Sequence, residues 1–540
     1  MPFVKPVPGP LYETRPRHAG VLLHITSLPG PYGIGDLGKE ARDFADFLSA
    51  AGASLWQILP LGPTGYGNSP YAAHSSFAGN ELLLSPELLA GEGFLTDREL
   101  RELAERFGTG DGAPADRQRV DYGQVRAEKL PRLKKAARRF LNAPMPRPGN
   151  SPDFLGPAGG REGERDAFKR FCEAQAFWLE DYALFQVLHE EYGDARWHTV
   201  WDRDLATRDP QALEKIKAER APEILEWKAL QYFFERQWRA LTDYVHALGI
   251  RIIGDIPIFV APDSADSWTH RNLFRTGSDG TYSVVSGVPP DYFSPSGQLW
   301  GNPVYDWEKM KAAGYRWWID RIRRLLSQVD LFRIDHFRGF DAYWAVPAGN
   351  PTAEEGTWEQ GPGEDFFRAL TNELGELPVL AEDLGFMTEG VRRLRDSQGF
   401  PGMKVCQFGF EGLKDGILDS RHLFLPHNYG YPWVAYSGTH DNDTTAGWYE
   451  ALGDADKKTV ADYFNCLPVA VEVVWAMIRS IMASHAQYAI FPIQDLLGLG
   501  SGARMNTPAT CGSENWSWRL GDITEDPARR FAALVSLYGR

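Results

Sequence analysis

The sequence predicts an α/β chain folded as a (β/α)8 TIM barrel, and three observations predict it. Short apolar runs recur along the 540 residues, and eight of them can be picked out. Their bodies are apolar throughout, which suits strands buried on both faces, as in a parallel sheet. Most are followed by a turn and an amphipathic stretch, the pattern of βα units. Polar and charged residues collect at the C-terminal end of each run, where a barrel of this kind keeps its functional groups.

The elements follow in order. GVLLH (20–24) and LWQILP (55–60) supply the first two strands. His24, at the end of the first, suits a structural role as well as a site role. Residues 86–250 then form a large, mostly helical insertion, with long amphipathic stretches at 164–192 and 209–248. The piece at 141–164 is rich in Pro and Gly and reads as a surface loop. RIIGDIP (251–257) gives the third strand. A second insertion, 258–310, is rich in Pro, Gly, Asp and aromatics and reads as a loop-rich cover over the barrel mouth. LFRIDH (331–336), PVLAEDLG (378–385), KVCQFGF (404–410), YSGTHDND (436–443) and YAIFPIQD (488–495) complete the eight. A barrel needs about 250 residues. Residues 1–540 therefore read as one catalytic barrel carrying the two inserted subdomains 86–250 and 258–310.

Composition excludes several classes of function. With 43% hydrophobic and 24% charged residues the chain is globular, not disordered. A net charge of −15 argues against nucleic acid and against an anionic membrane surface, both of which need surplus Lys and Arg. The stretch 468–499 is apolar but broken by Glu472, Arg479 and His485, so no membrane span is expected. No secretory signal is visible at MPFVKPVPGP, and a cytoplasmic location is expected. Cys172, Cys406, Cys466 and Cys511 are too scattered for a disulfide framework or a CxxC site. The 18 tryptophans suit a large core, and they also suit stacking on sugar rings.

Four carboxylates stand at strand ends: Asp255, Asp335, Glu382 and Asp441. They are distant in sequence, so only a closed barrel gathers them, and buried charges are costly unless paired or working. The chemistry this suggests is glycosyl transfer by two carboxyl groups. One attacks the anomeric carbon, and the other protonates the leaving oxygen and then deprotonates the acceptor. Arg333 and Asp335 alternate onto one side of their strand, which lets the guanidinium orient the carboxylate. Asp383 faces away from Glu382. His440 and Asp441 can hydrogen-bond sugar hydroxyls.

These residues sit in motifs that are similar to those of the 4-α-glucanotransferases of glycoside hydrolase family 77, the amylomaltases or disproportionating enzymes of the α-amylase clan. The resemblance runs from LLHITSLPGPYGIGDLG (22–38) to NWSWR (515–519). Between them come LPLGPTGYGNSPYAAHSSFAGN (59–80), GDIPIFVAPDSADSW (254–268), GVPPDYFSPSGQLWGNPVYDW (287–307), FRIDHFRG (332–339), AEDLG (381–385), GTHDNDTT (438–445) and QDLLGLGSGARMN (494–506). It implies that Asp335 is the nucleophile, Glu382 the acid/base and Asp441 the transition-state stabiliser. Arg333, His336 and His440 would hold the sugar at the cleavage point, supported by Asp255. Ser69 and Tyr71 would line the donor side. Asp291, Phe293, Gln298, Trp300 and Asn302 would lie on the mouth loop, and Phe408 and Asn506 are carried over as further binding residues. The implied substrates are α-1,4-glucans and maltooligosaccharides with glucose as an acceptor, and no cofactor or metal is implied. Three positions depart from the family pattern: Glu81 where Pro is usual, and Ala509 and Glu514 where Gly is commoner.

Other motifs carry little. GLGSGA (498–503) imitates a dinucleotide fingerprint but lacks the βαβ unit that must follow. The basic run KLPRLKKAARRF (129–140) reads as a solvated helix face. The rival readings are an α-amylase-like hydrolase, which shares the barrel and the three carboxylates, and a silent glucan-binding scaffold, which would have lost one of them.

Overall fold

Twelve strands organise the computed structural model, which describes residues 15–108, 119–142, 160–277, 281–290, 294–413 and 415–540. They are β1 (His18–Leu22), β2 (Leu55–Gln57), β3 (Arg251–Pro257), β4 (Val284–Val288), β5 (Gln298–Pro303), β6 (Leu331–Asp335), β7 (Ala342–Pro347), β8 (Thr357–Gln360), β9 (Val379–Ala381), β10 (Gly402–Val405), β11 (Trp433–Tyr436) and β12 (Tyr488–Pro492). Eight of them close into a barrel in the order β1, β2, β3, β6, β9, β10, β11, β12. Every pair in it is parallel, and β1 seals the ring against β12 from His18↔Tyr488 to Leu22↔Pro492.

Each barrel strand coincides with or overlaps one of the eight apolar runs. The seventh overlaps only at Tyr436, because the strand is WVAY and the polar run GTHDND is the loop that follows it. The barrel interior is filled by Leu22, Leu55, Ile253, Leu331, Leu380, Met403, Val434, Tyr436, Tyr488 and Ile490, at least one from every strand. A buried Leu or Ile of this kind stabilises by about 1.5–3 kcal/mol. The alternate residues, such as Val21, Trp56, Ile252 and Phe332, point outward into the layer between strands and helices. Gly20 is required for closure: a Cβ there would stand 2.6 Å from the Cβ of Leu55.

Between β2 and β3 the described residues are mostly helical, ending in the 27-residue helix Ala221–Ala247. Two glutamines of that helix dock it onto the loop after β2. Gln231 bonds both backbone groups of Gly79, at 2.9 and 2.8 Å, and Gln237 bonds both of Ser85, at 2.8 and 3.3 Å. The piece read as a loop at 141–164 is helical from Gly160, while 143–159 lie outside the described residues. The basic run 129–140 is not simply a solvated face. It belongs to the helix Tyr122–Asn142, with Lys129 wholly buried 3.5 Å from Asp36. Lys134 and Arg139 pair with Glu190 and Glu99.

A separate antiparallel sheet, the roof, runs in the order β5, β4, β7, β8 and reaches the C-terminal end of β6 through Trp300, 4.7 Å from the His336 ring. It joins the stretch 258–310 to a segment directly after β6, a pairing the sequence reading does not contain. No helix among the described residues is long and apolar enough to cross a membrane.

Candidate active site

Two of the four acids, Asp255 and Asp335, meet at one guanidinium. Arg333 donates from Nε to Asp255 Oδ2 at 2.9 Å and from Nη2 to Asp335 Oδ1 at 2.9 Å. The same Nη2 reaches the Tyr71 hydroxyl at 3.0 Å, which in turn donates to Asp255 Oδ2 at 2.7 Å. Alternation along β6 puts Arg333 and Asp335 on one side, as the strand period requires. Asp255 is fully buried, and burial raises its carboxyl to about 7 against the opposing charge of Arg333.

Glu382 follows β9 and is held by backbone. Its Oε2 accepts from the His336 N–H at 2.8 Å and its Oε1 from the Leu384 N–H at 2.9 Å. Burial, and then the charge of Asp335, push its carboxyl up to about 8. Burial also raises Asp335, but there Arg333 acts in the opposite sense through its charge and its hydrogen bond. The two carboxyls thus sit in contrasting surroundings. Asp383 turns away, accepting from the Met403 N–H at 2.7 Å and from Arg395. His336 takes a left-handed conformation (φ 53°, ψ 49°), a strained state for a residue with a side chain, which turns the chain out of β6. Burial lowers its imidazole to about 3, so the ring is neutral.

Asp441 is fixed from the C-terminal side. Asn506 Nδ2 donates to its Oδ1 at 2.7 Å, and Arg504 Nη2 donates to its backbone carbonyl at 2.6 Å. His440 is buried, with its imidazole lowered to about 4 by burial. It stacks on Tyr71 with centroids 5.2 Å apart and planes 15° apart. Trp516 leans on both rings, at 5.7 Å from Tyr71 and 5.8 Å from His440. Ser69 caps the short turn Pro70–Ala72 by accepting from the Tyr71 N–H at 3.2 Å, so it aims Tyr71 at Asp255. Behind the site, His24 Nδ1 accepts from the Leu59 N–H at 3.3 Å.

From the roof, Trp300 meets the His336 ring edge-on at 4.7 Å and donates to Gln298 at 3.2 Å. Asn302 on the same strand bonds the Val260 carbonyl at 2.9 Å and so ties the roof to the loop after β3. Phe408 stands apart from this cluster, against Phe424 at 5.9 Å. Asp291 and Phe293 lie outside the described residues. Arg504 and Trp516 escaped the sequence reading, although both lie in quoted motifs. Among the described residues no cluster of three His, Cys, Asp or Glu side chains could hold a metal ion.

The family model described as 4-alpha-glucanotransferase matches residues 23–524. The chain belongs to the 4-alpha-glucanotransferase family. The 4-alpha-glucanotransferase of Thermus thermophilus is 47% identical over 528 residues, covering 96% of this chain and 98% of that one. The chloroplastic/amyloplastic 4-alpha-glucanotransferase of Arabidopsis thaliana is 42% identical, covering 99% of this chain and 87% of that one. Among solved structures, the amylomaltase from Streptococcus agalactiae in complex with acarbose superposes with a TM-score of 0.87 at 36% identity, over 97% of this chain and 99% of that chain. The activity is that of a 4-α-glucanotransferase, and the hydrolase alternative is not favoured.

Proposed function

We propose that this 4-α-glucanotransferase works by a retaining double displacement in which Asp335 is the nucleophile and Glu382 the acid/base. The observation that carries the assignment is the contrast between the two carboxyls. Arg333 bonds Asp335 and favours its ionised, oriented form, whereas Glu382 faces that negative charge from a buried position and keeps its proton up to about 8.

In the first half-reaction an Asp335 oxygen bonds the anomeric carbon of an α-1,4-glucan donor. The glycosidic bond breaks, and its departing 4-oxygen takes the proton of Glu382. In the second, the Glu382 carboxylate removes the proton of an acceptor 4-hydroxyl, whose oxygen bonds the anomeric carbon and releases Asp335. Asp441, braced by Asn506, would bond ring hydroxyls more strongly as the sugar flattens toward an oxocarbenium ion. Tyr71, Asp255, Arg333, His336 and His440 would hold the sugar at the cleavage point, with Ser69 supporting Tyr71 on the donor side. Trp300 and Gln298, with Asp291, Phe293 and Asn302, would seat the acceptor, and Phe408 a more distant donor unit.

Substrates on this reading are maltooligosaccharides and longer α-1,4-glucans of the starch or glycogen type, with glucose among the acceptors, handled in the cytoplasm. Transfer outruns hydrolysis because bound acceptor sugars are aligned for attack, a gain that water cannot match. Incubation with maltotriose followed by product separation tests this. Shorter and longer glucans together with glucose are expected, whereas glucose and maltose alone would overturn the transferase reading.

A further inference from the structure

Two aromatic side chains that the reaction does not use stand exposed at the barrel mouth. Trp358, on β8, is 44% exposed, and Phe386, in the loop after β9, is 76% exposed. A single side chain joins them. The Arg338 guanidinium lies over the Trp358 ring at 4.1 Å, and its Nη1 donates to the Phe386 carbonyl at 2.7 Å. Trp344 meets the edge of Trp358 at 5.3 Å and is itself pinned through its indole N–H to the Ala353 carbonyl at 2.9 Å. The exposed indole is therefore fixed on one face and along one edge, with open surface left over.

Arg338 is unusual in its own right. It is only 7% exposed, pairs with no carboxylate within 4 Å among the described residues, and has a buried Nε without a hydrogen-bond partner. A desolvated cation of this kind is costly; the charge of Asp341 offsets part of that from beyond ion-pair distance, and the ring of Trp358 lies over the guanidinium. It is also near the chemistry. Arg338 is three residues beyond Asp335, hence within about 10 Å along the chain. Phe386 is four residues beyond Glu382.

We propose that Trp358 and Phe386 form a glucan-binding platform outside the catalytic subsites, on which glucose units of a long α-1,4-glucan stack. A pyranose has an apolar C–H face and a rim of hydroxyls. The platform offers the complement, two flat exposed rings, one of them backed by a buried guanidinium. Two aromatic side chains bury at most about 150–250 Å² each, which falls short of the roughly 800 Å² per partner of a stable protein interface. A sugar chain, already bound at the adjacent centre, fits that area.

The inference rests on the glucan-transfer reading and is tested separately from it. KM and kcat are measured for maltotriose and for a long amylose with the wild type, Trp358→Ala, Phe386→Ala and Trp358→Phe. Both alanine variants are expected to raise KM for amylose about fivefold, leaving kcat and the maltotriose constants unchanged, while Trp358→Phe recovers most of the loss. Equal effects on both substrates, or no effect on either, overturn the platform. Should Trp358→Ala destabilise the roof sheet, Phe386→Ala decides alone, since its side chain is exposed. The amylose-to-maltotriose ratio is readable whether the bond is transferred or hydrolysed. A failed platform is thus distinct from a failed reaction assignment.

Discussion

A fork of nitrogens on Arg333 serves Asp255, Asp335 and Tyr71 at once, and it is what separates the behaviour of two nearby carboxyls. Asp335→Asn should abolish turnover and leave no covalent glycosyl-enzyme in mass spectra. Glu382→Gln should lower kcat on the order of 10²–10⁴-fold, yet still be glycosylated by a donor whose leaving group needs no proton. An adduct on Glu382 would reverse the two roles. The pH profile follows from the same pair. Activity should fall at low pH as Asp335 gains a proton, and fall again as pH rises through about 8, where Glu382 loses its own. Stability carries the matching sign. The Glu382 carboxyl is raised in the fold, so between its unfolded value and about 8 the folded state holds a proton that the unfolded state has released. That contribution makes the protein less stable as pH rises. The Tm advantage of Glu382→Gln over wild type should therefore grow between pH 5 and 8, as calorimetry would show. Arg333, Asp335 and Glu382 were legible in the sequence, because strand alternation and strand-end position place them without any coordinates, whereas Asp441, read as a strand-end acid, lies in the loop five residues past β11. Arg504 was not, since it acts on a backbone carbonyl, and a backbone acceptor leaves no mark in the sequence.

At the scale of elements, the barrel strands announced themselves and the roof did not. A strand buried on both faces is mostly apolar, so β3, β6 and β12 stand out from their flanks despite the charged site residues that β3 and β6 carry. β4, β5, β7 and β8 are only partly buried, Gly or Pro interrupts the first three, and each makes sense only beside its partners. The family departures also resolve at this scale. Glu81 opens the short turn Glu81–Leu83 and accepts from the Tyr182 hydroxyl at 3.3 Å, so the helical insertion covers the place where Pro is usual. Glu514 pairs with Arg119 at 2.8 Å. Ala509 takes φ 60°, a left-handed conformation that favours Gly and costs an L-residue about 1–2 kcal/mol. Ala509→Gly should relieve part of that strain, less the entropy glycine loses on folding. A rise of up to about 1 kcal/mol in unfolding free energy, read from urea denaturation, is expected.

For the molecule as a whole, the helical insertion and the C-terminal segment are one device. Val120 N–H donates to the Ser517 carbonyl at 2.6 Å, and the Tyr122 hydroxyl donates to the Trp516 carbonyl at 3.0 Å. Arg119 reaches the carbonyls of Glu514 at 3.0 Å and Gly502 at 3.1 Å. This clasp holds Trp516 in its own left-handed conformation, φ 62°, against Tyr71 and His440. Arg119→Ala combined with Tyr122→Phe should lower kcat about tenfold, the scale of one or two lost hydrogen bonds, while far-UV circular dichroism stays that of the wild type. An unchanged kcat would mean that the clasp is merely structural glue. The clasp also has a consequence for the growing chain. Synthesis runs from the N-terminus, so Asp335, Glu382 and Asp441 all leave the ribosome before Arg504, Asn506 and Trp516. A nascent chain that has just made β12 owns every catalytic carboxyl but cannot yet aim Asp441. Glucan in the surroundings therefore meets a weaker cutter at first, and full activity is expected only once residues near 119 have found residues near 517.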